Sequence, residues 1–164
     1  MSSSLRRAQF SPSGGADVIK VEHPVRSDPQ RGMLSVGGVQ LDPVASLMIE
    51  HPNRGKRSIG IDLATSEGRD LLYELPRNAD VFMTNYLPSV RQNLQIGVER
   101  IRGVNPDIID ARGSGFGGKG PNRDRGGFDA IAFWIHSGVA HALTPQDFEV
   151  PLTVGIGGMG DSQR

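Results

Sequence analysis

The chain has 164 residues, and its 18 lysines and arginines balance 18 aspartates and glutamates to a formal net charge of zero. That length supports one domain with a core of its own. The neutral balance excludes the basic footprint of a nucleic-acid binder and any chain-wide attraction to an acidic membrane. Cysteine is absent, which removes disulfides, thiolate nucleophiles and cysteine-type zinc sites. No apolar run is long enough to cross a bilayer, and MSSSLRRAQFSPSGG lacks the apolar stretch of a signal peptide. The expectation is a soluble, cytoplasmic protein.

In chain order, residues 1–13 are polar and unpatterned and are expected to be disordered. Asp17 to Glu22 reads as a strand on the strength of Val18, Ile19 and Val21. A turn-rich region follows to about Arg54. Ser58 to Asp62 alternates like a strand. Thr65 caps a helix whose apolar stripe is Leu71, Leu72 and Leu75, and Pro76 stops it. Asp80 to Thr84 is the next strand. Pro88 starts a short helix with Val90 and Leu94 inward. Val98 begins one or two more helical turns, closed by Asn105-Pro106, and Ile108 to Arg112 is the fourth strand. Phe128 to Leu143 carries the spacing of one longer helix, with Trp134, Phe133 and Ile131 as core, and with His136 and His141 on its surface or at the core edge. Strands alternating with helices imply an α/β fold, here an incomplete Rossmann-like parallel sheet with flanking helices. Twenty-two glycines and eleven prolines bunch at 32–43, 113–127 and 155–160, which read as loops.

Two glycine motifs follow the fourth strand. Gly113, Gly115 and Gly118 spell G-x-G-x-x-G, and Gly113, Gly118 and Lys119 spell G-x-x-x-x-G-K. A dinucleotide site needs a helix to begin inside the first motif, and Gly120-Pro121-Asn122 opposes that. A phosphate loop needs Ser or Thr after the lysine to hold magnesium, and Gly120 stands there. A plain loop after a strand is the better reading of both.

Several phrases in fixed order resemble the class III coenzyme A transferases, the family of formyl-CoA transferases, carnitine CoA-transferases and 2-methylacyl-CoA racemases. These are Gly15-Ala-Asp-Val-Ile-Lys-Val-Glu22 with Asp28-Pro29 and Arg31-Gly32; Asn53-Arg-Gly-Lys-Arg-Ser58 with Ile61-Asp-Leu63 and Glu67-Gly68; and Ala79-Asp-Val81 with Asn85-Tyr86 and Pro88. Asn105-Pro106, Ser114-Gly-Phe-Gly117, Gly120-Pro121, Gly127-Phe-Asp129 and Gly160-Asp161 continue the register. By that resemblance residues 14–164 form a partial N-terminal CoA-binding domain, truncated at both ends and preceded by an unrelated segment. Full-length relatives run at least roughly twice as long and form interlocked homodimers.

The resemblance implies acyl-CoA and a carboxylic acid as substrates, with no metal, nucleic acid or membrane. Asp161 falls on the catalytic carboxylate. His23, Ile61, Asn85 and Tyr86 fall on coenzyme-contact positions, while Asn93 stands where relatives commonly carry arginine. Arg54, Lys56 and Arg57 form the densest basic cluster, suited to phosphate groups. Phe128 occupies the place of the histidine that racemase relatives use to move a proton, which disfavours racemisation. The expected activity is CoA transfer through an aspartyl anhydride and an aspartyl-CoA thioester. The alternatives are an inactive truncated fragment, a racemase-like enzyme, or a phosphate-loop nucleotide binder.

Overall fold

A computed structural model of the chain describes residues 15–36, 39–42, 44–128 and 130–151. The expected disorder of residues 1–13 and the aspartate at 161 lie outside the described residues. The elements run β1 (Ile19–Glu22), β2 (Ser35–Val36), β3 (Val39–Gln40), α1 (Leu47–Asn53), β4 (Arg57–Gly60), α2 (Ser66–Glu74), β5 (Val81–Thr84), α3 (Pro88–Asn93), α4 (Val98–Val104), β6 (Ile109–Arg112) and α5 (Val139–Leu143), with short 3-10 turns at Pro29–Gly32 and Leu75–Asn78 and a wide helical turn at Ala130–Ile135. The fold is α/β, and the four expected strands all form.

The strands build two parallel ribbons among the described residues. β1 pairs with β4, Ile19 opposite Arg57 and Glu22 opposite Gly60; β5 pairs with β6, Val81 opposite Ile109 and Thr84 opposite Arg112. β2 and β3 make a small antiparallel hairpin. The carbonyls of Val18 and Glu22 accept from Arg57 and Ile61, and those of Asp80 and Thr84 accept from Ile109 and Gly113. Because backbone groups alternate sides along a strand, Ile19 and Val21 turn theirs to the second edge of β1, and Val81 and Met83 do so on β5. No backbone hydrogen bond joins the ribbons across these edges among the described residues. The side chains of Ile19, Val81 and Met83 remain 38%, 46% and 39% exposed.

Three expectations need correction. The turn-rich stretch before Arg54 holds the hairpin and α1 as well as turns. Pro52 hid that helix: it sits inside α1, where it is buried and removes one backbone donor. The long helix from Phe128 is broken instead, because Gly138 adopts φ 81 between the wide turn and α5. Of the three residues expected as its core, only Trp134 is buried, at 2% exposed; Ile131 is 44% exposed, and Ala140, at 1%, is the other buried residue of the stretch. Leu71 also leaves its expected stripe: it is 59% exposed, while Leu72, at 3%, carries the packing of α2. The loop at 113–127 forms turns, with no helix starting inside the glycine motifs.

Part of the core lies where α2, the turn at Leu75–Asn78 and α4 meet, with Ile108 just before β6 also buried. Leu72, Ile101 and Ile108 are all at most 3% exposed. The Tyr73 hydroxyl donates to the Gln95 carbonyl at 2.7 Å. The Asn105 amide donates to the carbonyls of Pro76 and Ala79 at 2.9 and 3.0 Å, which holds the turn after α2 against the end of α4.

The corner between β4 and α2 is tighter still. Thr65 caps α2 by accepting the Gly68 N–H at 3.0 Å and donates to the Asp62 carbonyl at 2.9 Å. A Cβ on Gly68 would stand 1.9 Å from that carbonyl oxygen. Glycine-to-alanine changes inside helices ordinarily stabilise by about 1 kcal/mol. Gly68→Ala reverses that sign and destabilises by about 2–3 kcal/mol through overpacking, as chemical denaturation will show.

Candidate functional site at the strand ends

β1 ends in a loop locked by charge. Lys20 and Glu22, two residues apart, share one face of the strand. The Lys20 ammonium lies 2.6 Å from Asp28 Oδ2 and 3.0 Å from Glu22 Oε1. Ser27 Oγ donates to Glu22 Oε2 at 2.9 Å, and Arg31 reaches both Glu22 oxygens at 3.4 Å. Ser27 takes a left-handed backbone, φ 54, inside this net. Asp28 also accepts the Gln30 N–H at 2.9 Å and so caps the turn at Pro29–Gly32. Burial pushes the Glu22 carboxyl up, but the hydrogen bonds from Lys20, Ser27 and Arg31, with the Lys20 charge, outweigh it and hold the group at about 2.

The lock presents His23, the first residue beyond β1. Its Nδ1 accepts the N–H groups of Val25 and Arg26 at 3.1 and 3.0 Å. Nδ1 therefore carries a lone pair, and in the neutral ring the proton sits on Nε2. Nε2 lies 3.7 Å from Asp62 Oδ2, which follows β4. Asp62 in turn accepts the Ala64 N–H at 2.9 Å and stays fixed. A histidine held this way is an oriented donor at the carboxyl end of a parallel ribbon, where α/β sheets receive ligands.

The other expected contacts divide. Ile61 is 3% exposed and donates its N–H to Glu22 at 2.8 Å, so it extends the ribbon and offers no exposed side chain. Asn85 and Tyr86 leave the carboxyl end of β5 with exposed side chains, Tyr86 at 46%. Arg54, Lys56 and Arg57 stand at the amino end of β4, opposite Ile19, and not beside His23. The Arg57 guanidinium is taken by Asp17. Lys56 is half-buried, and burial followed by the charge of Lys20 lowers its pKa.

Asp62 and the Lys20–Glu22–Asp28 net were not among the sequence candidates. The alternation of Lys20 and Glu22 on one strand face was the available signal. In the loop after β6, Phe116 meets His136 edge-on at 5.0 Å and lies under Arg125 at 5.8 Å. His136 is thus occupied in packing, and Phe128 is 71% exposed.

Parallel ribbons joined by helical crossovers define an α/β protein. The chain belongs to CoA-transferase family III, whose pattern matches residues 13–162. It is 38% identical over 151 residues to the succinyl-CoA–D-citramalate CoA-transferase of Chloroflexus aurantiacus, covering 90% of this chain and 35% of that protein. Identity to the cinnamoyl-CoA:phenyllactate CoA-transferase of Clostridium sporogenes is 32% over 155 residues, or 94% of this chain and 37% of that one. The crystal structure of a CaiB/BaiF family protein from Brucella suis superposes with a TM-score of 0.78 at 31% identity, covering 95% of this chain and 40% of that one. The chain thus spans 35% and 37% of the length of these two curated relatives.

The Glu22 network makes an acid-stability prediction. A depressed carboxyl stabilises the fold above the unfolded value of 4.5, and that contribution is lost as pH falls toward about 2. Glu22→Gln should cost about 1–3 kcal/mol at neutral pH and flatten the loss of stability between pH 4.5 and 2. Thermal unfolding across that range measures both.

Proposed function

We propose that the chain is the coenzyme-binding part of a cytoplasmic enzyme that moves CoA from an acyl-CoA to a carboxylic acid, with Asp161 as nucleophile. The observation that carries this reading is the family match through residue 162, which takes in Gly160-Asp161. The donor groups gathered at the strand ends support it.

In this proposal the Asp161 carboxylate attacks the acyl carbonyl. The carbon–sulfur bond breaks, CoA leaves as thiolate, and a mixed aspartyl anhydride remains. The thiolate then attacks the aspartyl carbonyl, releasing the first acid and leaving an aspartyl-CoA thioester. The acceptor carboxylate repeats the sequence in reverse and departs as the new thioester, restoring Asp161. Each step is an acyl substitution at one oxidation level, so no oxidant is required, and one difficult transfer is divided into easier ones. The glycines at 155, 157, 158 and 160 allow close backbone approach and N–H donation to the oxyanion.

The geometry supports the coenzyme contacts of this reading. In this reading His23 donates through Nε2 at the end of β1, and Asn85 and Tyr86 receive the coenzyme at the end of β5. Ile61 supports from beneath. Arg54 and Lys56 have no ion-pair partner among the described residues and are available to phosphate. Arg57 must first leave Asp17. The amino end of β4 lies about 10–13 Å from its carboxyl end, a separation that an extended coenzyme bridges. A second copy of the chain is the expected partner.

Calorimetric titration with CoA, followed by incubation with acyl-CoA, tests the proposal. Free thiol should appear, and intact-mass analysis should locate the adduct on Asp161. Asp161→Ala should lose the adduct and slow thiol release by at least about a hundredfold. An adduct on another side chain would refute the assignment, and CoA binding without thiol release would leave a binding module in place of a transferase.

A further inference from the structure

Two half-buried side chains at the carboxyl end of the β1–β4 ribbon keep hydrogen-bonding capacity that the fold does not use. The His23 ring is held at Nδ1, which accepts the N–H groups of Val25 and Arg26, so Nε2 is the nitrogen that donates. Asp62 is held at Oδ1, which accepts the Ala64 N–H at 2.9 Å, so Oδ2 is the oxygen left to accept. Nε2 and Oδ2 lie 3.7 Å apart, beyond the reach of a direct hydrogen bond. Neither has another partner among the described residues. The two side chains keep 24% and 36% of their surface exposed. The corner thus presents a fixed donor beside a fixed acceptor, both open to a ligand.

Charge decides what that ligand is. No lysine or arginine among the described residues forms an ion pair with Asp62. The Arg69 guanidinium, at the same corner, donates instead to the carbonyls of Leu63 and Ala64 at 3.3 and 2.9 Å. A ring that donates through Nε2 alone is neutral, so the Asp62 charge stands uncompensated. A phosphate oxygen could accept from Nε2 but would set its own negative charge against that carboxylate. An ammonium would meet Asp62 and could not accept from His23. A neutral group that accepts and donates at once satisfies both. An oxygen about 2.8 Å from each atom fits across the 3.7 Å between them. Coenzyme A offers such groups on each half: a ribose hydroxyl and the amino edge of adenine on the nucleoside, and a hydroxyl on pantetheine.

We infer that His23 and Asp62 act as one specificity pair, which binds an uncharged hydroxyl or amino-edge group of the coenzyme and turns phosphate away. This inference rests on the coenzyme-binding reading. It adds Asp62 to the contacts and sends the phosphates elsewhere.

The test uses the full chain with His23→Asn and Asp62→Asn. An asparagine oxygen at 23 can still take the Val25 and Arg26 N–H groups, but nothing stands in the place of Nε2. Asparagine at 62 still accepts from Ala64, while the outer oxygen becomes an uncharged donor. By calorimetry each variant should bind CoA about tenfold more weakly. The two losses should not add, since both atoms hold one group, and they should be equal at low and high salt. In histidine-selective 15N spectra of the wild type, the His23 Nε2 signal should move with CoA. It should also move with either adenosine or pantetheine, which tells the half of the coenzyme that is held, and stay still with inorganic pyrophosphate.

Tighter CoA binding by Asp62→Asn would overturn the inference, because removing the carboxylate helps only an anion. A loss that high salt abolishes would do the same. So would a wild-type His23 signal that moves with pyrophosphate, or that ignores both neutral fragments, whether or not the variants fold. Undiminished CoA binding by both variants sinks the pair and leaves the coenzyme reading standing. A wild type that does not bind CoA at all removes the coenzyme reading, and the pair with it.

Discussion

Two parallel strands cannot be joined by a tight turn, and the organisation of this chain follows from that limit. Each ribbon needs a crossover long enough to return the chain to its starting end. α1 lies in the crossover from β1 to β4, and α3 and α4 lie in the one from β5 to β6. The loops leaving the carboxyl ends are consequently gathered together. Within the β1–β4 ribbon this brings His23 and Asp62 to one place, although 39 positions separate them in the chain. Asn85 and Tyr86 leave β5 in the corresponding position.

Local chemistry makes those ends precise. Glu22 is the last residue of β1, and its three donors come from the strand itself, from Ser27 and from Arg31. The same carboxylate therefore ties the end of the strand to the loop, and the ring that follows is held by the N–H groups of Val25 and Arg26 in that loop. A parallel role falls to Asp62, whose carbonyl receives Thr65 and excludes any side chain at Gly68. Membership of CoA-transferase family III gives these corners a chemical context, and the proposed coenzyme contacts use the groups that the corners hold still.

The free edges of β1 and β5 are the complement of this order. Ile19 and Val21, with Val81 and Met83, turn unpaired backbone groups outward among the described residues. Nearly all such groups in folded proteins are satisfied by protein or water. Edges of this kind favour pairing with further strand, and the chain spans only 35% and 37% of the length of the two relatives compared with it.

Much was legible in the sequence by itself. Apolar alternation located four strands, because a strand's period is set by its own backbone. Thr65 announced the start of α2 and Asn105-Pro106 the end of α4, since caps act within a few residues. The collinear phrases identified the family. What escaped was non-local. α1 was masked by Pro52, whose lost hydrogen bond is offset only by burial. The separation of Arg54, Lys56 and Arg57 from His23 depends on strand register, which no local pattern states. The commitment of Arg57 to Asp17 spans 40 positions, and the approach of Asp62 to His23 spans 39. Periodicity and capping are decided by neighbours along the chain and can be read from it. Pairing, enclosure and the matching of charges are decided by neighbours in space, so only the tertiary structure could settle them.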